Sequence, residues 1–185
     1  MSAAGLITHP PAPGAPLWVF GYGSLMWNPG FDYEERVPGR LIGAHRSFCV
    51  TSVHWRGTPD KPGLVLGLDR GGACVGIAFR IAPSRTQATL DYLREREQVT
   101  HIYREAVRRV WLKDGSGRVV SAVVFLVDRG HAQYAGRLTA EERLHLIRQG
   151  HGRGGPNADY VTATARHLAE LGIRDEELLW LVARL

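Results

Sequence analysis

The residue of this chain best placed to do chemistry is Glu97. Leu90 and Leu93 recur at helical spacing, and Glu97 falls four residues beyond Leu93 and seven beyond Leu90. That offset predicts Glu97 on the inward face near the end of a helix, with Glu95 pointing elsewhere. A carboxylate on an apolar face is costly unless paired, and its burial raises the pKa toward values useful for proton transfer. The plainer alternative is a surface ion pair with Arg94 or Arg104.

A second candidate is a loop. Trp18-Val19-Phe20 reads as a short buried strand that breaks into Gly21-Tyr22-Gly23-Ser24-Leu25-Met26. Glycine admits positive φ and close approach of a ligand to the backbone, so this loop can cradle an anion; a strand ending in an ordinary turn is the alternative. A dinucleotide fingerprint does not fit, for no third glycine follows Ser24-Leu25-Met26, and a P-loop lacks its Gly-Lys-Ser/Thr. Ser24 has no nucleophile elbow around it. Two further segments are rich in turn formers. In Trp55-Arg56-Gly57-Thr58-Pro59, the planar fork of Arg56 either meets a carboxylate or lies on the surface. Gly150-His151-Gly152-Arg153-Gly154-Gly155-Pro156-Asn157 reads as a flexible loop leading to a helix N-terminus, with a phosphate cradle as the alternative, and Tyr160 in the first turn is core filler or pocket hydroxyl. The histidines show no His-x-x-x-His and the cysteines no Cys-x-x-Cys, so no metal site is expected.

The elements that must carry these residues follow from turns and periodicity. Val37–Ser52 is strand-like but broken by Pro38, Gly39 and Gly43, which predicts a bent strand. Leu64–Leu68 and Ala73–Ile81, joined by Asp69-Arg70-Gly71-Gly72, are predicted to form a hairpin, as are Ala106–Leu112 and Arg118–Val127 around Lys113–Gly117. These pairings imply an antiparallel or mixed sheet rather than a βαβ series. Ser84 with Gln87, and Thr139 with Glu142, suit capping boxes. Leu144 and Ile147 face inward, and Gly150 closes that helix. Asn157 or Asp159 caps the next, whose stripe of Val161, Thr164, Ala165 and Leu168 ends at Gly172. Asp175 starts a last short helix with Leu178, Leu181, Val182 and Leu185 inward.

At 185 residues the chain suits one domain over 17–185, with residues 1–16, carrying four prolines, as a mobile tail rather than a signal peptide. No apolar run approaches the roughly 18 residues that span a bilayer, so a cytoplasmic address is expected. The two cysteines, Cys49 and Cys74, lie in apolar strand-like runs and read as buried free thiols. The net charge of +5 comes from scattered arginines with no basic run, which argues against nucleic acid and suits a small acidic substrate.

Several segments in this order resemble the ChaC-type γ-glutamylcyclotransferases. They are Val19–Trp27; His54-Trp55-Arg56-Gly57-Thr58-Pro59, with Trp55 added to the family's His-Arg-Gly-Thr-Pro; Gly76-Ile77-Ala78-Phe79-Arg80; Arg96-Glu97 with Tyr103 after it; and Gly152–Tyr160. The likeness covers Trp18 to the C-terminus. Arg96-Glu97-Gln98-Val99-Thr100 is most similar to the bacterial branch, with Gln98 in place of a methionine.

The resemblance implies a small α+β fold, a closed or nearly closed mixed β-barrel flanked by helices. It implies an enzyme, a cofactor-free lyase that releases 5-oxoproline from glutathione and leaves cysteinylglycine. Gly21, Tyr22, Gly23, Ser24, Leu25 and Met26 then correspond to the γ-glutamyl-binding loop and Glu97 to the catalytic glutamate, with Arg56, Tyr103 and Tyr160 as secondary substrate contacts. No metal, membrane, nucleic acid or obligatory protein partner is implied. The alternatives are a cyclotransferase for other γ-glutamyl amides and a non-catalytic protein that binds a small acidic ligand.

Overall fold

The computed structural model describes residues 14–97 and 101–185. Most of the expected tail, residues 1–13, lies outside the described residues, as do Gln98, Val99 and Thr100 of the family-like text. The described residues gather into two compact units. One comprises residues up to Arg46 with Leu68–Asp128, the other Ser47–Gly67 with Arg129–Leu185.

The first unit is built on strands β1 (Leu17–Gly21), β2 (Glu35–Ser52), β3 (Gly63–Ile81), β4 (Tyr103–Leu112) and β5 (Val119–Val127), with helix α1 (Thr86–Glu97) between β3 and β4. Ser47–Ser52 of β2 and Gly63–Gly67 of β3 belong to the second unit. The strands close into a barrel in the order β1-β3-β2-β4-β5. β1 runs antiparallel to β3, from Leu17↔Ile81 to Gly21↔Ile77, and parallel to β5 at Trp18↔Ala122 and Val19↔Val123. The parallel pairing of β1 with β5 makes the barrel mixed, and closure leaves its sheet without open edges. The hairpin expected between β4 and β5 forms, pairing Tyr103 with Val127 and Trp111 with Val119 at its ends. The fold is thus α+β with a closed mixed barrel, as the resemblance implied. Phe20, Ile77, Phe79, Ile81, Leu93 and Phe125 are fully buried in this unit.

Two local expectations fail here. Leu64–Leu68 and Ala73–Ile81 are not arms of a hairpin but parts of the single strand β3. Gly71 and Gly72 take φ of 101° and 68° and bend the strand without reversing it, as Gly43 at φ 92° does in β2. Paired glycines signal positive φ, and positive φ serves a bend as well as a turn. Ser84 caps nothing: it sits in a 3-10 turn, Pro83–Arg85, whose cap position is Ala82, and the Gln87 amide donates to Asp91 instead. Proline at the first position of that turn, with its φ already suited to a helix, starts it without a side-chain cap.

The second unit carries α2 (Ala140–Gln149), a two-stranded ribbon of β6 (His151–Gly152) and β7 (Gly155–Pro156), α3 (Asn157–Glu170) and α4 (Glu176–Val182). Both halves of the Thr139–Glu142 capping box form, and Asp175 caps α4 by accepting from the Leu178 N–H. Leu144, Ile147, Val161, Thr164, Leu168, Leu178 and Leu181 are buried, whereas Leu185 is exposed, beyond the end of α4. Neither Asn157 nor Asp159 caps α3, whose cap position is Pro156. The Asn157 side chain is drawn away to the backbone of Leu64. Gly150–Pro156 is likewise no loose loop. The N–H groups of Arg153 and Gly154 donate to the carbonyls of His54 and Trp55, and a Cβ on Gly152 would lie 2.5 Å from the His54 oxygen. Only a chain without side chains can lie this close to another backbone.

Cys49 and Cys74 are buried and unbridged, as expected. Among the described residues no helix is long and apolar enough to cross a membrane, and no three His, Cys, Asp or Glu side chains cluster as metal ligands.

Candidate active site

In the first unit, β1 delivers the chain into Tyr22–Met26, where Ser24–Met26 forms one 3-10 turn. Tyr22, Leu25 and Met26 bury their side chains and anchor the loop, while Ser24 is exposed. The carbonyls of Tyr22, Gly23, Ser24 and Met26 are occupied. Arg46 Nε donates to the Tyr22 oxygen at 2.7 Å, and Met26 N to Gly23 at 2.9 Å. The N–H groups of Trp27 and Asn28 donate to the Ser24 oxygen, and Arg36 donates to Met26 at 3.2 Å. The N–H groups of Gly23, Ser24 and Leu25 donate to no group among the described residues. The start of a helical turn has this imbalance by construction, since its first N–H groups have no carbonyl behind them. The loop therefore presents three N–H donors with most of its acceptors spent, the arrangement that suits an anion.

Glu97 closes α1 on its inward side, where its side chain is only 17% exposed. Neither Arg94 nor Arg104 pairs with it: Arg94 is bound to Glu105 and Arg104 to Asp128. Its partner is Arg96, with Nε 3.3 Å from Oε1. Burial pushes the Glu97 carboxyl above its ordinary pKa, and the Arg96 guanidinium opposes this without cancelling it. The same guanidinium donates through Nη2 to the Ser24 hydroxyl at 2.9 Å, so one arginine touches both the loop and the carboxylate. Tyr103, at the start of β4, is half-buried in this unit.

In the second unit the structure brings Arg56 and Tyr160 together. The Arg56 guanidinium lies over the Tyr160 ring, with Cζ 5.4 Å from the centroid, and donates to the carbonyls of Gly154 and Pro156. Tyr160 also accepts at its hydroxyl from the Leu66 N–H at 3.3 Å and meets Phe48 edge to face. Among the described residues Arg56 is thus neither loose on the surface nor committed to a carboxylate side chain. It holds the glycine-rich segment and keeps part of its fork for other acceptors.

Sequence reasoning gave Arg96 no task of its own and passed over Arg46. Arg96 is findable in principle, because it stands four residues after Tyr92 and next to Glu97. Arg46 carries no such signal: its contacts, with Tyr22 and with the Val75 oxygen at 2.8 Å, lie far apart in sequence.

Comparison with known proteins decides the family. The ChaC-like protein family model matches residues 17–185. The chain belongs to the ChaC-like family. It is 38% identical over 163 residues to the glutathione-specific γ-glutamylcyclotransferase of Escherichia coli, covering 88% of this chain and 70% of that one. It is 31% identical to γ-glutamylcyclotransferase 2-3 of Arabidopsis thaliana, over 88% and 84% of the two chains. The crystal structure of the yeast γ-glutamylcyclotransferase specific to glutathione superposes with a TM-score of 0.79 at 25% identity, over 91% of this chain and 97% of that one. The bacterial likeness of the Arg96-Glu97 text agrees with the first of these relatives.

Proposed function

We propose that this ChaC-like chain cyclises the γ-glutamyl group of glutathione, releasing 5-oxoproline and cysteinylglycine. The observation that carries this reading is the buried Glu97 carboxylate linked through Arg96 to a loop of unspent N–H donors.

The α-amine of the γ-glutamyl group attacks its own γ-carbonyl carbon. A new C–N bond closes the lactam, and the amide C–N bond to the cysteine nitrogen breaks. The attacking ammonium must lose two protons to become the lactam N–H, and the departing nitrogen must gain two to become the ammonium of cysteinylglycine. Glu97, with its pKa raised by burial, takes these protons from the attacking nitrogen one at a time and passes each to the departing nitrogen, so it ends the cycle in the state in which it began. Folding the substrate so that amine and carbonyl meet in a near-attack geometry removes the internal freedom that otherwise opposes lactam closure. The Gly21–Met26 loop holds the α-carboxylate or the oxyanion that forms at the carbonyl. To Arg56, Tyr103 and Tyr160 we assign the lesser task of orienting the substrate's carboxylates and peptide. None of these steps calls for a cofactor.

The test is a substrate panel of glutathione, γ-glutamyl amino acids and a γ-glutamylamine, scored by mass spectrometry for 5-oxoproline and the released amine. Turnover of glutathione well above the others supports the assignment. Preference for another γ-glutamyl amide keeps the reaction and changes the substrate, and no turnover of any member leaves a binding protein for a small acidic ligand.

A further inference from the structure

Arg96 makes more polar contacts than its place beside Glu97 requires. Nη1 donates to the carbonyl of Asn28 at 2.8 Å and of Pro29 at 3.3 Å, and to the Tyr92 hydroxyl at 2.8 Å. Nη2 donates to the Ser24 hydroxyl and Nε faces Glu97. The side chain is only 21% exposed; its bonds to Pro29 and the Tyr92 hydroxyl are part-buried, those to Asn28 and Ser24 lie at the surface, and one planar guanidinium serves all these directions at once. The turn it grips is itself fixed to α1. Gly30 has φ 74° and packs directly on the Tyr92 hydroxyl, leaving no room for a Cβ, and Phe31 meets the Tyr92 ring edge to face at 6.3 Å.

We propose that Arg96 is the positioning residue of this site: its one guanidinium sets the Glu97 carboxylate against the Ser24 end of the loop and locks both to the Asn28–Pro29 turn. The proposal rests on Glu97 being the proton carrier. A lysine cannot replace this function, because an ammonium on a flexible stem lacks the rigid fork that meets Glu97, Ser24 and the Asn28–Pro29 turn at once. Among the described residues the Arg96 charge favours the ionised form of Glu97, whereas Arg94 and Arg104, cations near in sequence, face Glu105 and Asp128.

The experiment measures kcat, KM and the pH dependence of 5-oxoproline release from glutathione for the wild type, Arg96→Met, Arg96→Lys and, as reference, Glu97→Gln. Arg96→Met is expected to lower kcat about a hundredfold, the scale of a small misplacement of a catalytic group, with a smaller change in KM. Its acidic limb of kcat/KM moves to higher pH, because the cation that favoured ionised Glu97 is gone. Arg96→Lys keeps the charge and loses the fork, so its limb stays near the wild-type position while kcat still falls. A purely structural role lowers activity without moving the limb in Arg96→Met. That outcome, or wild-type kcat in either variant beside an inactive Glu97→Gln, overturns the proposal for Arg96 alone. Should Arg96→Met fail to fold, Arg96→Lys decides by its kcat: a loss at unchanged Tm supports positioning, and wild-type kcat contradicts it. Full activity of Glu97→Gln removes the reading of Glu97 and the proposal with it.

Discussion

Asn157 treats Leu64 as a neighbouring strand would. Its Oδ1 accepts from the Leu64 N–H at 2.6 Å and its Nδ2 donates to the Leu64 oxygen at 2.8 Å, with the asparagine fully buried. One side chain thereby satisfies both backbone groups of a strand residue and fixes the first turn of α3. Replacing it with alanine leaves a buried donor and a buried acceptor unpaired, each costing on the order of 1–3 kcal/mol. Asn157→Ala is expected to lose about 3 kcal/mol in urea unfolding. A loss below the cost of a single surface substitution would show that water replaces the amide.

Gly76 stands where β3 passes the start of the candidate loop. A Cβ there would clash with the Gly21 carbonyl oxygen and lie 2.7 Å from Cζ of the buried Phe20. Neither neighbour is the free end of a flexible side chain. Gly76→Ala is expected to cost about 1–3 kcal/mol by overpacking, read as a lowered urea midpoint, and to reduce activity by shifting the chain ahead of Tyr22. An unchanged midpoint would mean that β1 yields freely.

The raised pKa of Glu97 has a consequence for stability. Burial makes the folded state hold the proton more tightly than the unfolded chain does. Stability from this group is therefore complete below its unfolded pKa and is lost as pH rises through the higher folded pKa. As pH rises, ionisation of the buried carboxylate becomes a burden that Glu97→Gln removes. The variant is expected to have a higher Tm than the wild type at pH 7, with the gain shrinking as pH falls toward 4, the ordinary glutamate range. A gain that grows on acidification would contradict the sign.

Much of this was legible in the sequence because it depends on neighbours along the chain. The offset from Leu90 and Leu93 put Glu97 inward, and Thr139–Glu142 and Asp175 announced their helix starts through contacts three residues long. The misses share one cause, which is competition from partners distant in sequence. Asn157 gave up the helix cap for Leu64. Gly71 and Gly72 bent β3 where a local rule gave a turn. The glycines of Gly150–Pro156 made room for the backbone of His54 and Trp55 rather than for flexibility. Barrel closure depends on β1 meeting β5, about a hundred residues apart, and only the family likeness anticipated it. Arg96 stood in plain sight beside Glu97, but its task is defined by Ser24 and Asn28 and is visible only in three dimensions.

The most direct measurement is 5-oxoproline formation from glutathione by the purified protein and by a folded Glu97→Gln variant at matched concentration. Product from the wild type, with cysteinylglycine in equal amount, and a loss of at least about a hundredfold in the variant are predicted for a carboxylate that carries the proton. Equal turnover by both proteins would contradict the account, because the lactam would then form without the group on which the site is built.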